Sequence, residues 1–139
     1  MANDYYDQRT GLGNVGSYQA SARPFVSSSI ILPPAPALST KISFSTVTKF
    51  VTIKNTSPIS GLGAKAVVRV GFSANGVETG TNYYTLASQE SFSADWRVSS
   101  VYLMLDSGLL NATASVIAGC TGINSLELLH NWSGSVGVG

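Results

Sequence analysis

The sequence predicts an all-β fold: an antiparallel β-sandwich or jelly roll of seven to eight strands with an extended N-terminal arm. Three observations carry this. From Lys41 to Trp132, short runs dense in β-branched and aromatic residues recur about every ten residues, with turn signals between them. Several of these runs alternate apolar and polar residues with a period of two. Before Lys41, Gly11, Gly13 and Gly16, and then Pro24, Pro33, Pro34 and Pro36, break every regular period. The chain has 139 residues, enough for one domain with a real core. The expected organisation is an arm over 1–40 and a sandwich domain over 41–139.

Residues 1–20 read as a flexible arm with isolated aromatics at Tyr5, Tyr6 and Tyr18. Residues 21–40 are apolar but laced with proline, too broken for an ordinary core strand. An unstructured stretch this long is unusual inside a compact domain, so the arm is expected to lie outside the core. "KISFSTVTKFVTIKN" (41–55) is strand by composition. Ile42 and Phe44 share one parity and Val47, Val51 and Ile53 the other, which predicts a bulge or two short strands meeting at a bend near Ser45–Val47. "NTSPISGLG" (55–63) is loop by composition. "AKAVVRVGFSA" (64–74) alternates cleanly, and Asn75-Gly76 then signals a hairpin into the strand "YYTLA" (83–87).

"SFSADWRV" (91–98) alternates again, with Phe92, Ala94, Trp96 and Val98 expected to face inward. "VYLML" (101–105) is apolar on both faces and reads as a central strand covered on two sides. "NATASVIAG" (111–119) is a further strand. "NSLELLHNW" (124–132) spaces Leu126, Leu129 and Trp132 as a short helix would, with Asn124 or Ser125 as cap, and a strand is the competing reading.

Charge is sparse: 11% of residues are Asp, Glu, Lys or Arg, against a usual share of about 25%. The net charge of +1 gives no field to recruit nucleic acid or an anionic membrane. A polar, poorly charged surface fits one that neighbours cover, because charge is depleted in interface cores. No apolar run reaches the roughly 18 residues of a membrane-spanning helix. The N-terminus shows no charged region followed by an apolar one, so no signal peptide is expected and assembly in the cytoplasm is the default. Three N-x-[ST] sequons, at Asn55, Asn111 and Asn131, then carry no meaning. The single cysteine, Cys120, cannot form an intrachain disulfide, and its apolar neighbours point to a buried thiol.

The residues do not assemble a catalytic set. His130 is the only histidine, so any Ser-His-Asp or Cys-His arrangement would have to use it. The chain cannot supply a Cys/His zinc set. Glu78, Glu90, Asp95, Asp106 and Glu127 sit near strand ends and turns, where solvated edges explain them better than a hydrolytic carboxylate pair. "GLGNVG" (11–16) follows no strand and opens no helix, so it fails as a dinucleotide fingerprint. "DSG" (106–108) and "NGVETG" (75–80) have too few carboxylates for a calcium loop. Lys41, Lys49, Lys54, Lys65 and Arg69 fall on solvent-facing phases. No enzyme activity, catalytic residue, cofactor or metal is therefore expected. Tyr83, Tyr84, Trp96 and Tyr102 leave open a sugar-stacking face, although Tyr83 and Tyr84 alternate and Trp96 shares the phase of the core.

Residues 68–123 ("VRVGFSANGVETG" through "NATASVIAGCTGI") resemble β-sandwich structural proteins of tailed-phage particles. The likeness is in texture: a hairpin signal, a tyrosine strand, a polar turn, "FSADWRV" running into "VYLML", and a closing "ATASVIAG". It implies a capsid decoration, or cement, protein, a homotrimer on the outer surface of a phage head that binds the major capsid protein. The resemblance transfers no residue roles. The arm fits this role on its own chemistry. Prolines lower the entropy lost on docking, and Phe25, Val26, Ile30, Ile31 and Leu32, followed by Pro33 and Pro34 in extended geometry, could fill pockets of another chain. Deletion of 1–40 is then expected to spare the sandwich and abolish capsid binding. The alternative is a receptor- or carbohydrate-binding module of a phage fibre or spike.

Overall fold

A computed structural model of the chain describes residues 11–13, 15, 22–34, 38–61, 66–107, 110–132 and 134–139. Among these residues, eight strands form two four-stranded antiparallel sheets: β1 (Arg23–Leu32), β2 (Thr40–Ser43), β3 (Thr46–Asn55), β4 (Val67–Gly71), β5 (Tyr83–Leu86), β6 (Ser91–Ala94), β7 (Ser100–Ser107) and β8 (Ala112–Asn124). The first sheet runs β1-β8-β3-β6 and the second β2-β7-β4-β5. Strand partners are nested: β4 pairs β5, β3 pairs β6, β2 pairs β7 and β1 pairs β8. One long eight-strand hairpin wound onto itself gives this order, which is that of a jelly roll.

The core lies between the sheets. Val51, Ile53, Val116 and Ala118 of the first sheet face Val68, Val70, Val101 and Leu103 of the second, all fully buried. The predicted bend at Ser45 is where the chain passes from the second sheet (β2) to the first (β3). Changing sheet also exchanges the parity that faces the core, so Phe44 and Val47 are both buried.

Residues 23–32 correct the reading of an arm outside the core. They form β1, hydrogen-bonded to β8 from Arg23↔Cys120 to Leu32↔Ala112. The register shifts between Ser27 and Ile30, where Ser29 has φ 57°. This bulge moves the inward parity from Phe25 to Ile30 and Leu32. Ile30 and Leu32 are therefore core of this chain, while Val26 and Ile31 face outward. Pro24 stands on an edge strand, where its missing donor costs least, and Pro33 and Pro34 follow the strand's last residue. Of the glycine-rich arm, Leu12 packs beside Val47, Ile123 and Leu128. Residues 1–10, 14, 16–21 and 35–37 lie outside the described residues, as do 62–63 of the expected loop and 64–65 of the strand expected to begin at 64.

Asn75-Gly76 does not make a two-residue hairpin. β4 and β5 do pair, but a single helical turn, α1 (Ala74–Glu78), joins them. Ser73 caps it by accepting from the Gly76 N–H at 3.0 Å. The turn lies on the outside of the second sheet, with Val77 fully buried. A Cβ on Gly71 would stand 2.4 Å from Val77 Cγ2 and 3.0 Å from the Asn82 carbonyl oxygen, so β4 needs glycine there. Gly71→Ala is expected to cost about 1–3 kcal/mol by overpacking, read as a lower midpoint in urea unfolding with an unchanged slope.

Two further expectations are corrected. The second alternating run is strand only over Ser91–Ala94, and Phe92 is half-exposed at the sheet edge. The short helix in 124–132 is a 3₁₀ turn over Ser125–Leu128, capped by Asn124. Leu128 is buried there, whereas Leu126 and Leu129 point to solvent.

Two asparagines close the open ends of the sandwich. At one end, Asn55 is fully buried. Its Nδ2 donates to the carbonyls of Ala66 (2.8 Å) and Leu86 (3.0 Å), and its Oδ1 accepts from the Ser57 N–H (3.0 Å). This ties β3 to β4 and β5 of the other sheet. At the other end Asn131 is equally buried, with Oδ1 accepting from the N–H groups of Ser99 (2.6 Å) and Ser100 (3.2 Å). Its Nδ2 donates to the Phe72 carbonyl (3.2 Å), the Ser100 hydroxyl (2.9 Å) and the Ser100 carbonyl. Both are sequon asparagines, and neither exposes its amide to a modifying enzyme in the folded protein.

Candidate interaction surface

The two sheets present different outer faces. On the second sheet Lys41, Tyr102, Gly71 and Tyr83 form one cross-strand row. Val77 of α1 sits over Gly71, between the two tyrosines. The Arg69 guanidinium lies 4.4 Å from the Tyr83 ring centre and also bonds Asp106 Oδ1 at 2.7 Å. Lys41 Nζ stands 5.9 Å from the centre of the Tyr102 ring. Tyr84 points the other way, into the core, and burial pushes its hydroxyl up to about 12. So Tyr84 is absent from the outer row, where Tyr83 and Tyr102 stand on either side of Gly71.

The entry to β2 is fastened to α1. Glu78 accepts from the Ser39 hydroxyl (2.6 Å) and the Ser39 N–H (2.9 Å). These bonds, the hydroxyl first, hold its carboxyl below the ordinary value. The helix and this strap leave the second sheet partly covered.

The first sheet is open on its outer side near β1. Val26, Ile117, Thr52 and Ser93 form one row across all four strands. Val26 is 66% exposed and Ile117 45%, and Ile31 further along β1 is 59% exposed. The Thr52 and Ser93 hydroxyls bond each other at 2.7 Å. The row carries no charge, and the neighbouring row of Ser115, Lys54 and Ser91 carries one. Phe50 lies over Gly119 on the same side, where a Cβ would come within 2.3 Å of its ring. β1 itself is an edge, since its single strand neighbour among the described residues is β8.

The expected partner-binding residues thus divide. Ile30 and Leu32 are buried and Phe25 packs edge-on against Phe44 with ring centres 4.9 Å apart. Val26 and Ile31 remain outward, and Pro33 is exposed and Pro34 half-buried after the strand. Ile117, which completes the apolar row, reads in the sequence as one more residue of a core strand. Among the described residues no group of three or more His, Cys, Asp and Glu could hold a metal ion. Among them, too, no helix is long and apolar enough to cross a membrane. No protein-family model matches the chain, and no curated protein is similar to it.

Proposed function

We propose that the chain is a structural virion protein, a decoration or cement protein that self-associates as a homotrimer on the outer surface of a phage head. It binds the major capsid protein and is assembled in the host cytoplasm. The observation that carries this reading is the uncharged Val26–Ile117–Thr52–Ser93 row, with Ile31 exposed further along β1 opposite Thr113. Exposed β-branched side chains on an uncharged, rigid sheet face favour burial against another protein over hydration. The jelly-roll order supports it as well, since this architecture serves widely in viral capsids. The sparse overall charge adds to it.

The test separates folding from association. The full-length protein is expected to show a trimer mass by light scattering. It should also co-sediment with undecorated heads built from the major capsid protein encoded in the same genome. A paired Val26→Lys and Ile117→Lys substitution should leave the melting transition cooperative, give a monomer and abolish co-sedimentation. Charges forced together at an interface core cost several kcal/mol. A monomeric wild type that ignores the heads, or a double variant that still binds them, would overturn the proposal.

A further inference from the structure

A second surface, far in chemistry from the apolar row, is built around the two tryptophans. A pocket of about 250 Å³ opens between the end of β4, the β6–β7 connection and the C-terminal segment. Phe72 and Trp96 meet edge-to-face there, ring centres 4.8 Å apart, and Phe92 stacks behind Trp96 at 5.4 Å. Trp132 forms another wall. Its Nε1 donates to the Arg97 carbonyl at 3.2 Å, and the Arg97 guanidinium stands 5.5 Å from the centre of its ring. Asp95 and Arg97, both exposed, bring one charge of each sign to the same pocket.

The backbone is bent out of its ordinary range to place Trp132. Asn131 and Trp132 have φ of 45° and 64°, two successive non-glycine residues in the left-handed region. Such conformations persist where surrounding contacts over-determine them, and they concentrate at ligand sites. Here the buried Asn131 side chain supplies the contacts, to Phe72, Ser99 and Ser100. The outcome is an indole 43% exposed at the mouth of the pocket. For core packing alone, an exposed tryptophan does not justify that arrangement.

We propose that this pocket binds a neutral hexopyranose residue of a glycan. Its volume suits one six-membered ring; pockets for larger ligands start at about 300 Å³. The aromatic walls offer faces to the C–H side of a pyranose. The Asp95 carboxylate can accept from a pair of adjacent hydroxyls, beside an Arg97 guanidinium whose Nη1 donates to the Leu12 carbonyl at 3.4 Å. With the two charges opposed, the site gains nothing from a charged sugar. It is independent of the capsid reading and shares no residue with the Val26–Ile117 row.

The two tryptophans give two indole N–H signals in an ¹⁵N-correlated spectrum of the full-length protein. The probes are maltotriose, cellotriose, mannotriose, chitotriose and galactobiose, each titrated through the millimolar range. At least one is expected to shift an indole signal saturably, with a dissociation constant of about 1 mM. Trp132→Ala should weaken that binding at least about tenfold. Because Trp132 also fastens the C-terminal segment, Asp95→Ala is the companion variant: its side chain is exposed, and the same loss is expected with the fold intact. Absence of a saturable shift with all five saccharides, or unchanged affinity in Asp95→Ala, would overturn the proposal.

Discussion

Asn55→Ala is expected to destabilise the protein by about 3–5 kcal/mol, a large share of a typical domain's stability. The amide is the polar bolt between the sheets at one end of the sandwich. Truncation takes the amide from the Leu86 carbonyl and the Ser57 N–H, and leaves the Ala66 carbonyl only the Ser88 hydroxyl at 3.3 Å. It also loosens the turn in which the Asn55 backbone exchanges bonds with Glu90 (2.9 Å) and Gln89 (2.8 Å). Asn55→Asp distinguishes lost bonds from lost volume. The carboxylate would face two carbonyl oxygens in a buried site, so its folded pKa rises above the unfolded value. The folded state then binds more protons than the unfolded one, and stability falls as pH rises through the carboxylate range. Urea titrations of Asn55→Asp across that range should show this slope. A pH-independent loss, or an Asn55→Ala cost below about 1 kcal/mol, would show that the amide is not a bolt.

Removal of residues 1–40 is expected to abolish folding altogether, while removal of 1–21 preserves a cooperative melt. The longer deletion takes away β1, strips β8 of one neighbour and empties the positions of Ile30 and Leu32. Each of those side chains contributes roughly 1.5–3 kcal/mol by burial, and the lost strand bonds add to this, against a total stability of about 5–15 kcal/mol. The shorter deletion loses the contacts of Leu12 against Val47, Ile123 and Leu128 and keeps both sheets. Thermal melts followed by circular dichroism read the difference directly. A folded 41–139 fragment would mean that β1 is dispensable. The strap experiment must therefore stop at residue 21, because a deletion to 40 tests stability and not docking.

The strands with a constant parity were legible in the sequence. Val68, Val70, Val101, Leu103 and Val116 alternate without interruption, and each faces the core. The β2–β3 bend was legible for the same reason, since the parity change at Phe44 and Val47 marks it. β1 was not, because its bulge places Phe25 on one parity and Ile30 and Leu32 on the other, and its prolines resemble a linker's. An edge strand tolerates both devices, and a local pattern does not reveal which strands are edges. α1 was hidden behind Asn-Gly because the Ser73 cap, three residues ahead of Gly76, outweighed the hairpin preference. The candidate surfaces were less legible still. The Val26–Ile117 row joins residues at opposite ends of the chain. Trp96 and Trp132 are brought together by the buried bonds of Asn131, which in the sequence is only part of a sequon.

The nesting of strand partners has a consequence for how the protein comes into being. Val70 meets Tyr84 across a short connection, Val51 meets Ala94 further out, then Ile42 meets Val101, and last Val26 meets Ile117. Closing a loop costs more entropy the longer it is, and each inner pair shortens the loop that the next pair must close. Assembly is therefore expected to run from the middle of the chain toward both ends, and slowly for the chain's length, because the pairing is non-local. β1, made before the other seven strands described, has no partner among them until β8 has followed. During synthesis its apolar edge waits unpaired, and the bulge and prolines that hid it from the sequence pattern are also what keep a waiting strand from pairing with its neighbours.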